Sequence, residues 1–196
     1  SSMLARVIRV RGARIKAVLD AAVDGIITID EAGIIRSFNP AAERIFGWRE
    51  PEMLGTSVNR LMAEPFRSSH DHYMQEYHRT GQRRIIGIGR EVTALRRDGT
   101  VFPLDLAVSE LIIEGRRLYT GIARDITARK SVEQALRESE ERYRDLFENS
   151  NDLIQSVGAD GRYLYVNRAW RETLGYSAEE MAGLTMMDVI APEFSD

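Results

Sequence analysis

The side chains whose types and spacing could do chemistry gather in one stretch of the sequence, between His70 and Arg90. His70, Asp71 and His72 offer two imidazoles and a carboxylate, the donor set of a non-haem iron centre. On a helix, residues i and i+2 point about 200° apart, so one ion cannot take both histidines. That reading is discarded, and His72 and His78 are expected to face solvent, which leaves His70 as a single candidate imidazole. Gly87-Ile88-Gly89 resembles a phosphate loop only superficially. It lacks the third glycine, the lysine and a following helix, so its glycines are read as a bulge or a close ligand approach. No Ser-His-Asp order, glycosidase carboxylate pair, kinase signature or phospho-acceptor helix can be assembled, so this chain is not expected to be an enzyme. The sequence holds no cysteine, which excludes disulfides, thiolate nucleophiles and thiolate metal sites.

These residues need elements to hold them. Pro65 to Thr80 reads as a helix with Gly81 as its C-cap, and it carries His70. Three β-rich runs follow, Ile85–Arg97, Val101–Ile113 and Arg116–Thr127, joined by hairpin turns at Asp98-Gly99 and Glu114-Gly115. Leu104, Leu106 and Val108 alternate with Asp105, Ala107 and Ser109, so one face of that strand points to a core. Upstream, Gly25–Asp30 and Ile34–Phe38 form two short strands around Glu31-Ala-Gly33. Asn39-Pro40 then supplies an N-cap and a first-turn proline for a short helix stopped at Gly47. Glu50-Pro51 opens a further helical turn that ends at Gly55. The order predicts an α+β fold: one five-stranded antiparallel sheet with helices on one face.

The sequence also repeats. At an offset of 128, without a gap, Asp24 falls on Asp152, Gly33 on Gly161, Asn39 on Asn167, Gly47 on Gly175 and Gly55 on Gly183. The second copy is followed only to Asp196, before counterparts of the long helix and last three strands. Between the copies Val132, Leu136, Ser139, Tyr143 and Leu146 recur at heptad spacing, and Leu4, Ile8, Arg11, Ile15 and Val18 do the same at the front. The organisation expected is a coiled-coil signalling helix over 1–20, a complete domain over 21–127, a linker helix over 128–145 and the front half of a second domain over 146–196. Arg6, Arg9, Arg11, Arg14 and Lys16 are read as a solvated helix face. The net charge of -3 gives no argument for nucleic acid. No apolar run approaches the ~18 residues of a membrane span, and no secretory signal is present.

Gly25-x-Ile-x-x-Asp30, Asn39-x-Ala41, Phe46-Gly47-Trp48, Arg97-Asp98-Gly99-x-x-Phe102-Pro103 and Gly121-x-x-Arg124-Asp125-Ile126-Thr127 together resemble a PAS domain. The resemblance covers residues 17–130 fully and 143–196 as a front half. Lacking cysteine, the chain cannot use the cysteine photochemistry of two photosensory PAS branches. Glu64-Pro65-Phe66-Arg67-Ser68-x-His70-Asp71-x-Tyr73, Tyr77 and Ile85-Ile-Gly-Ile-Gly-Arg90 are similar to the haem PAS domains of rhizobial FixL-type oxygen-sensor kinases. That resemblance implies His70 as proximal iron ligand and Arg90 as the distal arginine that hydrogen-bonds oxygen. It also implies Ile85, Leu106 and Val108 as the apolar distal wall, with Tyr73 in the pocket. Glu76 departs from that family by standing where a basic residue meets a haem propionate, and Arg84 is expected to compensate.

The function expected is therefore the sensory input of a bacterial signal-transduction protein, such as a two-component sensor histidine kinase, sensing oxygen or another small gas through haem b. The alternatives are a cofactor-free module for dimerisation and relay, or an FAD-binding redox sensor with Trp48 as its aromatic. The expected partners are a second copy through the flanking helices and an output domain, a kinase or a cyclic-di-GMP enzyme, in the same polypeptide; no nucleic acid is expected. A cytoplasmic location is expected, with any membrane attachment through segments outside these residues.

Overall fold

The computed structural model describes residues 13–14, 16–80 and 89–190, the side chain of His78 excepted. The chain divides into two compact units at Ser131/Val132.

In the first unit, strands β1 (Gly25–Asp30) and β2 (Ile35–Phe38) form a hairpin. Helix α1 (Pro40–Phe46) follows, then the short helix α2 (Glu50–Met53) and a 3-10 turn over Val58–Leu61. The long helix α3 (Phe66–Thr80) leads to β3 (Arg90–Leu95), β4 (Val101–Ile113) and β5 (Arg116–Asp125). The five strands make one sheet in the order β2-β1-β5-β4-β3, and every neighbouring pair is antiparallel. This is the α+β sheet that the alternating patterns predict. The run read as a strand from Ile85 to Arg97 is strand over Arg90–Leu95, because Arg96 and Arg97 already belong to the turn closed by Thr100. Gly81 and Ile85–Ile88 lie outside the described residues, as do Leu4, Ile8, Arg11 and Ile15 of the front heptad.

Strand alternation sends Ile27 and Ile29 of β1, Ala94 of β3, Phe102 and Leu104 of β4, and Tyr119 and Ala123 of β5 to one face. There they meet Phe46 of α1, Met53 of α2, and Val58 and Leu61 of the 3-10 turn. Phe46 anchors the cluster by packing edge-on against Phe102 with ring centroids 5.7 Å apart. Gly47 ends α1 in the left-handed region, with φ 77°, and its N–H bonds back to the Glu43 carbonyl.

Helix α4 (Thr127–Asn149) buries none of its residues, and Val132, Leu136, Tyr143 and Leu146 are all exposed. In the second unit β6 (Gln155–Val157) pairs with β7 (Tyr163–Val166), and three short helices follow: α5 (Arg168–Leu174), α6 (Ala178–Met181) and α7 (Met186–Val189). Its core is Tyr163, Val166 and Trp170. No described helix is long and apolar enough to cross a membrane.

Candidate functional site

The inward face of the sheet does not close onto α3. Between them lies a cavity walled on the sheet side by Arg90, Val92, Leu104, Leu106, Val108 and Gly121, and on the helix side by Phe66, His70, Tyr73, Met74 and Tyr77. The period of each element explains this set. Leu104, Leu106 and Val108 are alternate residues of β4, while His70, Tyr73, Met74 and Tyr77 recur at i, i+3, i+4 and i+7 along one stripe of α3. Gly121, opposite Val108 in the register, leaves the sheet side shallow there.

Two buried nitrogens in this lining are unsatisfied. His70 Nδ1 and Arg90 Nε are buried and have no hydrogen-bond partner among the described residues. Burying such atoms unpaired costs about 1–3 kcal/mol each, which points to a ligand or solvent completing the site. Burial also pushes the His70 imidazole below its usual pKa, outweighing the opposing pull of Asp71, so the ring is held neutral. The nearest Asp71 oxygen is 3.7 Å from Nδ1, too far for a hydrogen bond. That carboxylate is held in place from the 3-10 turn, where Asn59 Nδ2 donates to it at 2.9 Å. The Arg90 guanidinium rests 5.5 Å from the centroid of the Phe66 ring, and no carboxylate among the described residues pairs with it.

A polar cluster adjoins this lining at Tyr77 and Tyr119. Tyr77 donates its hydroxyl to Glu110 at 2.6 Å, Arg117 Nε meets the other oxygen at 2.8 Å, and the Tyr77 and Tyr119 rings pack edge-on. Burial raises the Tyr119 phenol despite its hydrogen bond with Arg117, so it stays protonated. Glu110 was missed in the sequence, although its position two residues beyond Val108 puts it on the core face by the same alternation.

Of the site residues expected from the sequence, His70, Tyr73, Arg90, Leu106 and Val108 line this one cavity. Arg84 and Ile85 lie outside the described residues. Glu76 also lines the cavity, and His72 is exposed. Trp48 is not in the lining: Arg60 and Arg97 flank its ring, at 4.3 and 4.9 Å from the centroid.

A family model described as the PAS fold matches residues 13–126 and 141–196. The chain belongs to the PAS family. It is 45% identical over 131 residues to Sensor protein FixL of Bradyrhizobium diazoefficiens, a match covering 67% of this chain and 26% of that protein. It is 27% identical over 173 residues to the Oxygen sensor protein DosP of Escherichia coli, covering 87% of this chain and 21% of that one. The chain thus spans about a quarter or less of the length of these relatives. The crystal structure of a PAS domain of an HTR-like protein from Haloarcula marismortui superposes with a TM-score of 0.54 at 21% identity, over 64% of this chain and all of that one. That likeness shows the fold.

Proposed function

We propose that the chain is the sensory input region of a bacterial sensor protein and that the cavity of its first PAS domain binds haem b through His70. The observation that carries this reading is the pair of unsatisfied buried nitrogens, one imidazole and one guanidinium, lining one apolar cavity. The donor chemistry fits the group: a neutral imidazole suits iron, and Leu104, Leu106, Val108 and Met74 offer the apolar wall that a haem face packs against. When bound, haem would supply an iron centre able to take up oxygen or another diatomic gas. His70 would hold the group from α3, and Arg90 would offer charge-assisted donors to a polar ligand at the opposite wall. Tyr73 would pack against it, and Arg84 would offset the negative charge that Glu76 brings to the lining. The likeness to an oxygen sensor and to FixL supports the choice of gas.

The output falls to a domain elsewhere in the full polypeptide, a histidine kinase in this reading. The exposed seam of Val132, Leu136, Tyr143 and Leu146 on α4 supports pairing with a second copy, in which two such helices would bury each other's apolar side chains. The same seam favours the second reading, a cofactor-free dimeric relay. Absorption spectroscopy of the purified chain, incubated with haemin, reduced and exposed to oxygen, separates the two. A stoichiometric Soret band that shifts with oxygen and is lost in His70→Ala is expected. No band in the wild type, or a full band in His70→Ala, would overturn the haem assignment.

A further inference from the structure

The opening turn of α4 breaks a local rule. A helix N-terminus favours acidic residues, yet the first turn of α4 has none and instead carries Arg129 and Lys130. Both cations reach to one carboxylate: Arg129 Nη2 lies 2.5 Å and Lys130 Nζ 2.6 Å from the two oxygens of Glu91. Glu91 is the immediate neighbour of Arg90 on β3. Alternation therefore sets Arg90 on the cavity face and Glu91 on the outer face of the same strand.

On that outer face Glu91 stands directly opposite Asp105 of β4, and like charges opposite one another destabilise a strand pair. Arg124, opposite Asp105 on β5, is committed to Asp24 by two hydrogen bonds of 2.7 and 2.9 Å. The linker cations are thus what neutralises Glu91, and its carboxyl is held below the usual range, first by Lys130. A second tie joins the far end of the strand to the same turn. Arg96, just past β3, meets Asp125 at 2.5 Å, and Asp125 accepts from the Thr127 N–H at 2.9 Å, capping α4.

We infer that Glu91 is a latch that couples the cavity strand to the output helix, so that displacement of Arg90 is delivered to the first turn of α4 through Arg129 and Lys130. The coupling rests on the cavity being the sensing site, not on which ligand fills it. The route is local: one peptide unit separates the residue that faces the cavity from the residue that holds the helix.

Hydrogen–deuterium exchange of the whole 196-residue chain, read in peptides covering residues 126–135, tests this without any ligand. Glu91→Gln should speed exchange there by up to about fivefold, the upper end of what a partly exposed ion pair contributes. The charge swap Glu91→Lys with Arg129→Glu and Lys130→Glu should restore protection, because it keeps the pairing and also suits the helix dipole. Arg90→Ala should alter exchange at 126–135 in the wild-type background and leave it unchanged in the Glu91→Gln background. Unchanged exchange in Glu91→Gln, no recovery in the swap, or an equal Arg90→Ala effect in both backgrounds would each overturn the latch. A missing Soret band would sink the haem reading and leave these outcomes as they stand.

Discussion

The two copies of the repeat share one polar node and differ in what surrounds it. In the first, Asn39 Oδ1 accepts from the N–H groups of Ile26 and Ala42, while Nδ2 donates to the carbonyls of Leu19 and Asp24. In the second, Asn167 Oδ1 accepts from Ile154 and Trp170, and Nδ2 donates to Phe147 and Asp152. Each partner is displaced by 128 residues, so one side chain ties a helix N-terminus, a strand start and the preceding helical segment together in both units. The fill is different. Where the first copy has Gly25 and Ala42, the second has Leu153 and Trp170. Trp170 is fully buried, donates from Nε1 to Gln155 at 2.8 Å and packs on Tyr163 and Tyr176. The first copy keeps its helix close to the sheet with small residues and leaves a cavity against the long helix; the second fills its centre with aromatic rings. The shared node is scaffold, and the divergent positions are where sensing and packing part company.

The sharpest way to break that contrast is Trp170→Ala. Removing a fully buried indole costs about 3–5 kcal/mol, and among the described residues of the second unit only Tyr163 and Val166 are further buried hydrophobic core residues. Exchange measured over residues 151–190 should rise to that of an unfolded segment, while the first unit keeps its protection. If the second unit holds, Trp170 is not its centre.

The nodes come next. Asn39→Ala strands the Ile26 and Ala42 N–H groups and should cost the first unit about 3 kcal/mol in urea denaturation. The unit should still fold, because its core spans both the sheet and the helices. The equal loss in Asn167→Ala should unfold the smaller second unit. Asn39→Asp sharpens the point: it keeps the N-cap acceptor but removes both donors, and a loss of about 2 kcal/mol is expected. A neutral Asp variant would reduce the node to an ordinary N-cap.

The N-cap role of Asn39 and Asn167 was legible, because Asn-Pro before an apolar stretch and a matching asparagine in the repeat announce a helix start. The longer reach of Nδ2 to Leu19 and Phe147 was not, since spacing carries no information on which loop carbonyl comes near. The same holds in the cavity. Its walls follow from the alternation along β4 and the helical stripe of α3, and the family resemblance singled out His70 and Arg90. Glu110 and Asn59 were overlooked because single polar residues read as solvated surface until the fold brings Tyr77 and Asp71 to them. Arg129 and Lys130 vanished into a charge-rich helix for the same reason. Their misfit with the helix dipole was the one signal available.

The smallest expected effect tests the closeness of helix and sheet in the first copy. A glycine inside a strand ordinarily costs about 0.5–1 kcal/mol relative to alanine, so Gly25→Ala would stabilise an open strand. Here the added methyl would lie 3.2 Å from Ala42 Cα, 3.3 Å from Ala42 Cβ and 3.4 Å from the Ala123 carbonyl oxygen. Two of these three contacts are with backbone atoms, which cannot rotate away, so overpacking should win and Gly25→Ala should lower stability by about 1 kcal/mol. At the matching position of the second copy, Leu153 is half exposed, and Leu153→Ala should cost less than about 1 kcal/mol. Because Ala123 also lines the cavity, the shift forced by Gly25→Ala should register in the cavity as well. Haemin affinity in Gly25→Ala should fall while that of Leu153→Ala stays at the wild-type value. A stabilised Gly25→Ala protein would mean that the helix can retreat from β1 at no cost, and the contrast between the copies would then rest on Trp170 alone.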